Sequence, residues 1–217
     1  MIVPAVRAGA VVRSLAAVGA LLSLFTLAGC GHDRNVAPAR LAADGGSMQR
    51  QVERALLTKA ELPLGFGRQD GGADATAIGC AGIDRLYLAE DTTARATVTF
   101  GHALSAAFVN ETIAVQPGKA GANVDGFRRA PQDCRQFSGP GQIQYQVSEL
   151  TGFPSYGDAT GAVRVTSRLQ EGRPVDLVAV RLGDTVVLVA HADMATVDTD
   201  LTRTIVSRAV ERVRRGG

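Results

Sequence analysis

The sequence predicts an α+β fold, one antiparallel sheet packed against helices in a single domain, and three observations predict it. Two Val-rich runs, Val175 to Leu182 and Thr185 to Ala192, are separated only by Gly183-Asp184, which is a hairpin signal. Upstream, Arg95 to Phe100, Gln142 to Val147 and Val163 to Leu169 alternate apolar with polar residues, the period of a strand with one wet face. Helical repeats stand at both ends of the folded part: Met48, Val52, Ala55 and Leu56 open it, and Leu201, Ile205, Ala209 and Val213 close it. Strands joined by short turns, with helices grouped at the ends and one in the middle, indicate α+β rather than a regular α/β alternation.

From the N-terminus, Arg7 and Arg13 precede an almost uninterrupted apolar run from Leu15 to Thr26, and Leu27-Ala28-Gly29-Cys30 ends it with small residues before a cysteine. A charged start, a short apolar run and a small-residue boundary make residues 1–29 a secretion leader. The run is shorter than the ~20 apolar residues of a membrane span, and polar Gly31 to Asn35 follows it. Leu27 to Cys30 resembles the bacterial lipobox, in which the cysteine thiol receives a diacylglyceryl group and the leader is cut just before it. That resemblance implies Cys30 as the first residue of a mature lipoprotein, acylated with palmitate-type chains and held on the extracytoplasmic face of the cell membrane. Two or more acyl chains anchor stably, at about 0.8 kcal/mol per buried CH₂, whereas one holds only marginally. The alternative is an ordinary secretory leader that happens to meet a cysteine.

The remaining length suits one domain with one sizeable core. The leader holds two arginines and no acid, so the formal charge of +2 for the whole chain falls to zero without it. A basic footprint for nucleic acid is absent, and with aromatic residues at 5% and no Trp there is little on which bases could stack. No nucleic-acid partner is expected. Cys80 and Cys134 remain once Cys30 carries lipid. In an oxidising compartment they are most simply one disulfide, whose loop closure contributes roughly 4 kcal/mol. A metal site or a redox pair is the alternative, supported by neither CxxC spacing nor an adjacent histidine.

Residues 30–47, with Pro38, Gly45 and Gly46 and no apolar period, are expected to be a flexible tether, and residues 48–217 the domain. A helix is expected from Met48, with Ser47 as N-cap, to about Thr58, and Pro63 and Gly65 stop anything helical after it. Gly67 to Gly79 is expected to be an exposed loop. Arg95 to Phe100 and Ala106 to Val115 are expected as strands, the second broken off by Pro117-Gly118. Val124, Phe127, Arg128 and Cys134 suit a helix within Gly121 to Phe137, capped or kinked by Pro131, that brings Cys134 to the strands. Ile143, Tyr145 and Val147 face inward opposite Gln142, Gln144 and Gln146, Gly152 to Gly157 is a turn, and Val163 to Leu169 is a strand ended by Glu171-Gly172. The two Val-rich runs are apolar at nearly every position, so both faces of the sheet are expected to be covered there. The last helix has Asp198 as N-cap, Asp200 in its first turn and Arg208, Arg212, Arg214 and Arg215 toward its end, as the helix dipole favours.

No catalytic residue, metal or cofactor is expected. His32, His102 and His191 are scattered, without ligand-type partners three or four residues away, and each suits a surface or half-buried position. Pro154-Ser155-Tyr156-Gly157 approaches a nucleophile elbow, but Gly152 is one place too far back and a strand follows, so a turn is the better reading. Gly65-Phe66-Gly67 and Gly71-Gly72 lack the lysine of a phosphate loop.

Most of residues 48–217 resembles the extracellular sensor domain of the PknH-type mycobacterial serine/threonine kinases and the stand-alone actinobacterial lipoproteins built on it. The resembling residues are Leu56-Leu57-Thr58 with Leu62-Pro63, Cys134 on a mid-chain helix, Tyr156-Gly157-Asp158-Ala159 leading into Val163 to Leu169, Val178 to Val187, and the terminal helix. The resemblance implies a compact α+β domain with a cleft for an external ligand, displayed outside the membrane. The chain departs from it in having one possible cysteine pair where the kinase domain has two disulfides. The expected function is a membrane-anchored binding module of the cell envelope for a small molecule, a lipid or a protein. The alternative is a lipid or glycolipid carrier with an apolar cavity.

Overall fold

A computed structural model describes residues 40–70, 77–88, 92–168, 173–193 and 196–216, all within one compact unit, Pro38–Gly217. In chain order its elements are α1 (Arg40–Ala55), β1 (Phe66–Arg68), α2 (Ala81–Tyr87), β2 (Ala94–His102), β3 (Phe108–Val115), α3 (Ala120–Asp133), β4 (Gln136–Ser138), β5 (Gln144–Glu149), β6 (Ala159–Ser167), β7 (Pro174–Leu182), β8 (Thr185–Ala192) and α4 (Thr199–Arg215). Single 3₁₀ turns stand at Lys59–Glu61 and Pro140–Gln142.

The strands form one eight-stranded antiparallel sheet in the order β1-β2-β3-β8-β7-β6-β5-β4. β1 to β3 meander from one edge to the centre, α3 carries the chain to the other edge, and β4 to β8 meander back until β8 pairs with β3. The β7–β8 hairpin turns at Gly183, whose φ of +61° is the left-handed value that glycine adopts without a Cβ penalty at the first central position of a tight hairpin. The expected fold class is observed.

Alternation along the strands sorts the core onto the two faces. Val98, Ile113, Val180 and Val187 join Val52 of α1 and Ile205 and Ala209 of α4 on one side. Val147, Val163, Leu177 and Leu188 join Ile83 of α2 and Val124 and Phe127 of α3 on the other. Both faces of the Val-rich hairpin are therefore covered, as its unbroken apolar pattern predicts. α4 begins where expected: the Asp198 carboxylate accepts from the Asp200 and Leu201 N–H groups at 3.0 and 3.1 Å, and Gly216 ends the helix at φ +79°.

Three short elements were not expected from the sequence. β1 and β4, three residues each, border the sheet, and β1 occupies the start of the Gly67 to Gly79 stretch read as loop. α2 follows Cys80; the Asp84 carboxylate folds back onto the Ile78 and Gly79 N–H groups at 2.8 and 3.0 Å, and Ile83 and Leu86 are buried. α2 lies close against α3, for a Cβ on Gly82 would stand 2.5 Å from the Gly126 carbonyl oxygen. Three to seven residues are too few to display a period. α1 starts at Arg40 rather than Met48, inside the stretch read as tether, and stops at Ala55 rather than Thr58. The early stop has a local cause: the Leu57 N–H donates to the carboxylate of Glu111 at 2.6 Å instead of to a helical carbonyl.

Candidate functional site

Three of the buried polar residues, Asp176, His191 and Thr202, gather at the start of α4. Asp176 on β7 is fully buried, and its carboxylate accepts from Arg164 Nε at 2.7 Å and Nη2 at 3.1 Å. Thr199 and Thr202, in the first turns of α4, add their hydroxyls to the same carboxylate at 3.3 and 3.4 Å. His191, register partner of Asp176, places Nδ1 2.8 Å from the Thr202 hydroxyl, while its Nε2 is buried without a hydrogen-bond partner. Burial lowers the His191 pKa, against the pull of Asp176, Asp193 and Asp198. His191 is thus a core residue at 1% exposure, not the surface or half-buried one expected, because α4 covers the end of its strand. The network joins helix to sheet through buried polar contacts.

Glu111 on β3 is the second buried acid. Its Oε2 holds the Leu57 N–H, its Oε1 has no partner, and burial raises its pKa from 4.5 to about 8 despite that hydrogen bond. The folded state therefore binds a proton that the unfolded chain releases. Stability from this group is complete below pH 4.5 and is lost as pH rises toward about 8, with a slope of at most about 1.4 kcal/mol per pH unit. Glu111→Gln keeps an acceptor for Leu57 and cannot ionise. We expect this variant to gain on the parent across that interval in urea titrations, and an equal pH dependence in the two proteins would refute the assignment.

Two open clefts are formed by described residues. One, of about 390 Å³, lies between α3 and β5–β6, and its lining carries charges of both signs: Asp125 pairs with Arg128 at 3.7 Å, and Arg129 and Glu149 also line it. The other, of about 590 Å³, lies at the free edge of β2, between the end of α1, β1 and the last turns of α4.

The β2 cleft follows from how that edge is closed. β1 covers β2 only from Phe100 to His102, and the Gln69 N–H extends the pairing to the Thr99 carbonyl at 2.9 Å. At the other end the Gln49 carboxamide caps Arg95 like a strand, donating to its carbonyl at 2.8 Å and accepting its N–H at 3.1 Å. Alternation directs the main-chain N–H and C=O of Thr97 to the same edge between these closures, where no described group meets them. The Thr97 hydroxyl bonds that of Thr112 at 3.0 Å.

Four arginines line this cleft, Arg54, Arg68, Arg95 and Arg212, against one acid, Glu53. Arg212 is engaged, donating to Glu61 Oε1 at 3.1 Å and to the Arg54 carbonyl at 2.6 Å. Glu53 accepts from the Gln49 carboxamide at 2.9 Å. The guanidinium groups of Arg54, Arg68 and Arg95 meet no carboxylate among the described residues. Burial pulls the Arg95 pKa down, with the Tyr87 hydroxyl opposing it. Uncompensated guanidinium groups beside an open main-chain N–H are suited to holding an oxyanion.

Cys80 and Cys134 form a disulfide with Cα atoms 5.8 Å apart, joining the start of α2 to the end of α3. Cys30 and His32 lie outside the described residues. His102 is half-buried, its ring edge-on to Phe66 with centroids 5.2 Å apart and its Nδ1 3.2 Å from the Ser105 hydroxyl. Ser155 sits in a turn, its hydroxyl donating to the Gly157 carbonyl at 3.4 Å, with β6 following. The arginines of the β2 cleft carried no sequence signal, since they come from four separate elements and form no motif.

No family model matches the chain, and no curated protein matches it. Among solved structures it is similar to the extracellular domain of PknH from Mycobacterium tuberculosis, with 16% sequence identity, a TM-score of 0.59, and coverage of 77% of this chain and 96% of that one. At that identity the likeness is one of fold. No helix among the described residues is long and apolar enough to cross a membrane.

Proposed function

We propose that this chain is a lipid-anchored, extracytoplasmic binding module of the cell envelope, sensor-like in architecture and anchored through Cys30. The observation that carries this reading is the β2 cleft, open and lined by four arginines, of which Arg54 and Arg68 meet no carboxylate among the described residues. The fold shared with the extracellular domain of a kinase supports display outside the membrane. Against the carrier alternative stands the filling of the Val-rich hairpin: Val178, Val180, Val187 and Val189 are fully buried under α1 and α4, and Leu177, Ala179 and Leu188 pack toward α2 and α3.

One experiment tests anchor and cargo together. The full chain, expressed with its leader in a bacterial host that lipidates exported proteins, is weighed by mass spectrometry under denaturing and then native conditions. The expected denatured mass is that of a chain starting at Cys30 plus diacylglyceryl. The expected native mass adds no lipid beyond that anchor. A further lipid lost on denaturation would establish the carrier instead, and a Cys30→Ala variant that still reached the mature mass in the detergent phase would remove the anchor.

A further inference from the structure

We propose that the β2-edge cleft binds a small ligand through a phosphate group, held by the guanidinium groups of Arg54 and Arg68 and by the main-chain N–H of Thr97. The assignment deepens the binding-module reading and rests on it. Its first support is charge: the lining carries four arginines and one glutamate, and among the described residues the only lining arginine held by a carboxylate is Arg212. Two such guanidinium groups suit a multiply charged oxyanion better than a single carboxylate, which one arginine satisfies in a bidentate pair.

The second support is the backbone. An extended peptide adding to this edge would need a run of free ladder groups. Gln49 occupies Arg95 and Gln69 occupies Thr99, so among the described residues only Thr97 is left open. One residue of pairing does not hold a strand, but one N–H among cations completes an oxyanion site. A cleft of about 590 Å³ is within the range of small-molecule sites and leaves room for more than the phosphate itself.

The probes are inorganic pyrophosphate, for a soluble ligand, and phosphatidylcholine vesicles containing phosphatidic acid, for a headgroup. Each is tested by calorimetry or flotation against the detergent-solubilised full chain. Arg54 and Arg68 are exposed, so Arg54→Gln and Arg68→Gln leave the core intact. Each is expected to weaken binding about tenfold, the loss of one charge-assisted contact. Arg129→Gln, in the charge-balanced cleft on the other side of the sheet, serves as control and is expected to bind as the parent does. Pyrophosphate binding with that pattern establishes a soluble phosphate ligand, and vesicle binding alone with that pattern establishes a headgroup. Binding to neither probe, or binding that all variants retain, overturns the assignment. A different small molecule found in the native mass would then preserve the binding-module reading without this ligand class.

Discussion

Arg164→Leu is expected to lower the unfolding free energy by about 3–5 kcal/mol, the cost of leaving one member of a buried ion pair alone. Asp176 has no exposed surface and takes both its charged hydrogen bonds from Arg164, whose own side chain is 31% exposed. The asymmetry decides which substitution costs more. Without Arg164 the carboxylate stays under α4 with only the Thr199 and Thr202 hydroxyls. Without Asp176 the guanidinium still reaches water. Urea denaturation should therefore rank Arg164→Leu below Asp176→Asn. The double variant Arg164→Leu with Asp176→Leu should recover part of the loss, since it leaves no lone charge buried. A loss below about 1 kcal/mol for Arg164→Leu would show that the pair behaves as an exposed one.

Removing the disulfide by Cys80→Ala with Cys134→Ala is expected to cost roughly 4 kcal/mol, from the sequence separation of 54 residues that the bond closes. The loss should also be located in the structure. α2 is seven residues long and packs mainly on α3, so the bond at its first turn holds it where a helix of that length is not stable alone. Hydrogen exchange should show Ala81 to Tyr87 losing protection in the variant while the β7–β8 hairpin, at the centre of the sheet, keeps it. Uniform loss across the sheet, or unchanged stability, would contradict this placement.

Both predictions concern residues that read differently in sequence and in structure. Cys80 and Cys134 were legible as a pair because the leader-like N-terminus predicts export, and a chain in an oxidising compartment has few other uses for two spare cysteines. Asp176 and Arg164 were not legible as a pair. Each sits in a strand whose neighbours alternate or run apolar, and only the register Arg164↔Asp176 places them side by side. Glu111 and His191 are similar cases: His191 was expected at a surface or half-buried position and nothing in the sequence marked Glu111 as buried, until the packing of α1 and α4 covered that face.

The sequence by itself determined the local periods. Alternation named β2, β5 and β6, the Gly183-Asp184 turn joined β7 to β8, and the apolar repeat with Asp198 and the terminal arginines marked α4. These signals survive because they depend on residues two to four apart, whose side chains share a face whatever lies beyond. What only the tertiary structure decided is everything that depends on distant segments meeting: the β3–β8 pairing that unites the two meanders, the burial of Glu111, Asp176 and His191, and the β2 cleft. Arg54, Arg68, Arg95 and Arg212 come from α1, β1, β2 and α4, and no spacing along the chain records that they share one cleft. Among the described residues, a short β1 and a single glutamine leave one residue of the sheet edge open beside them, and that gap belongs to the folded chain alone.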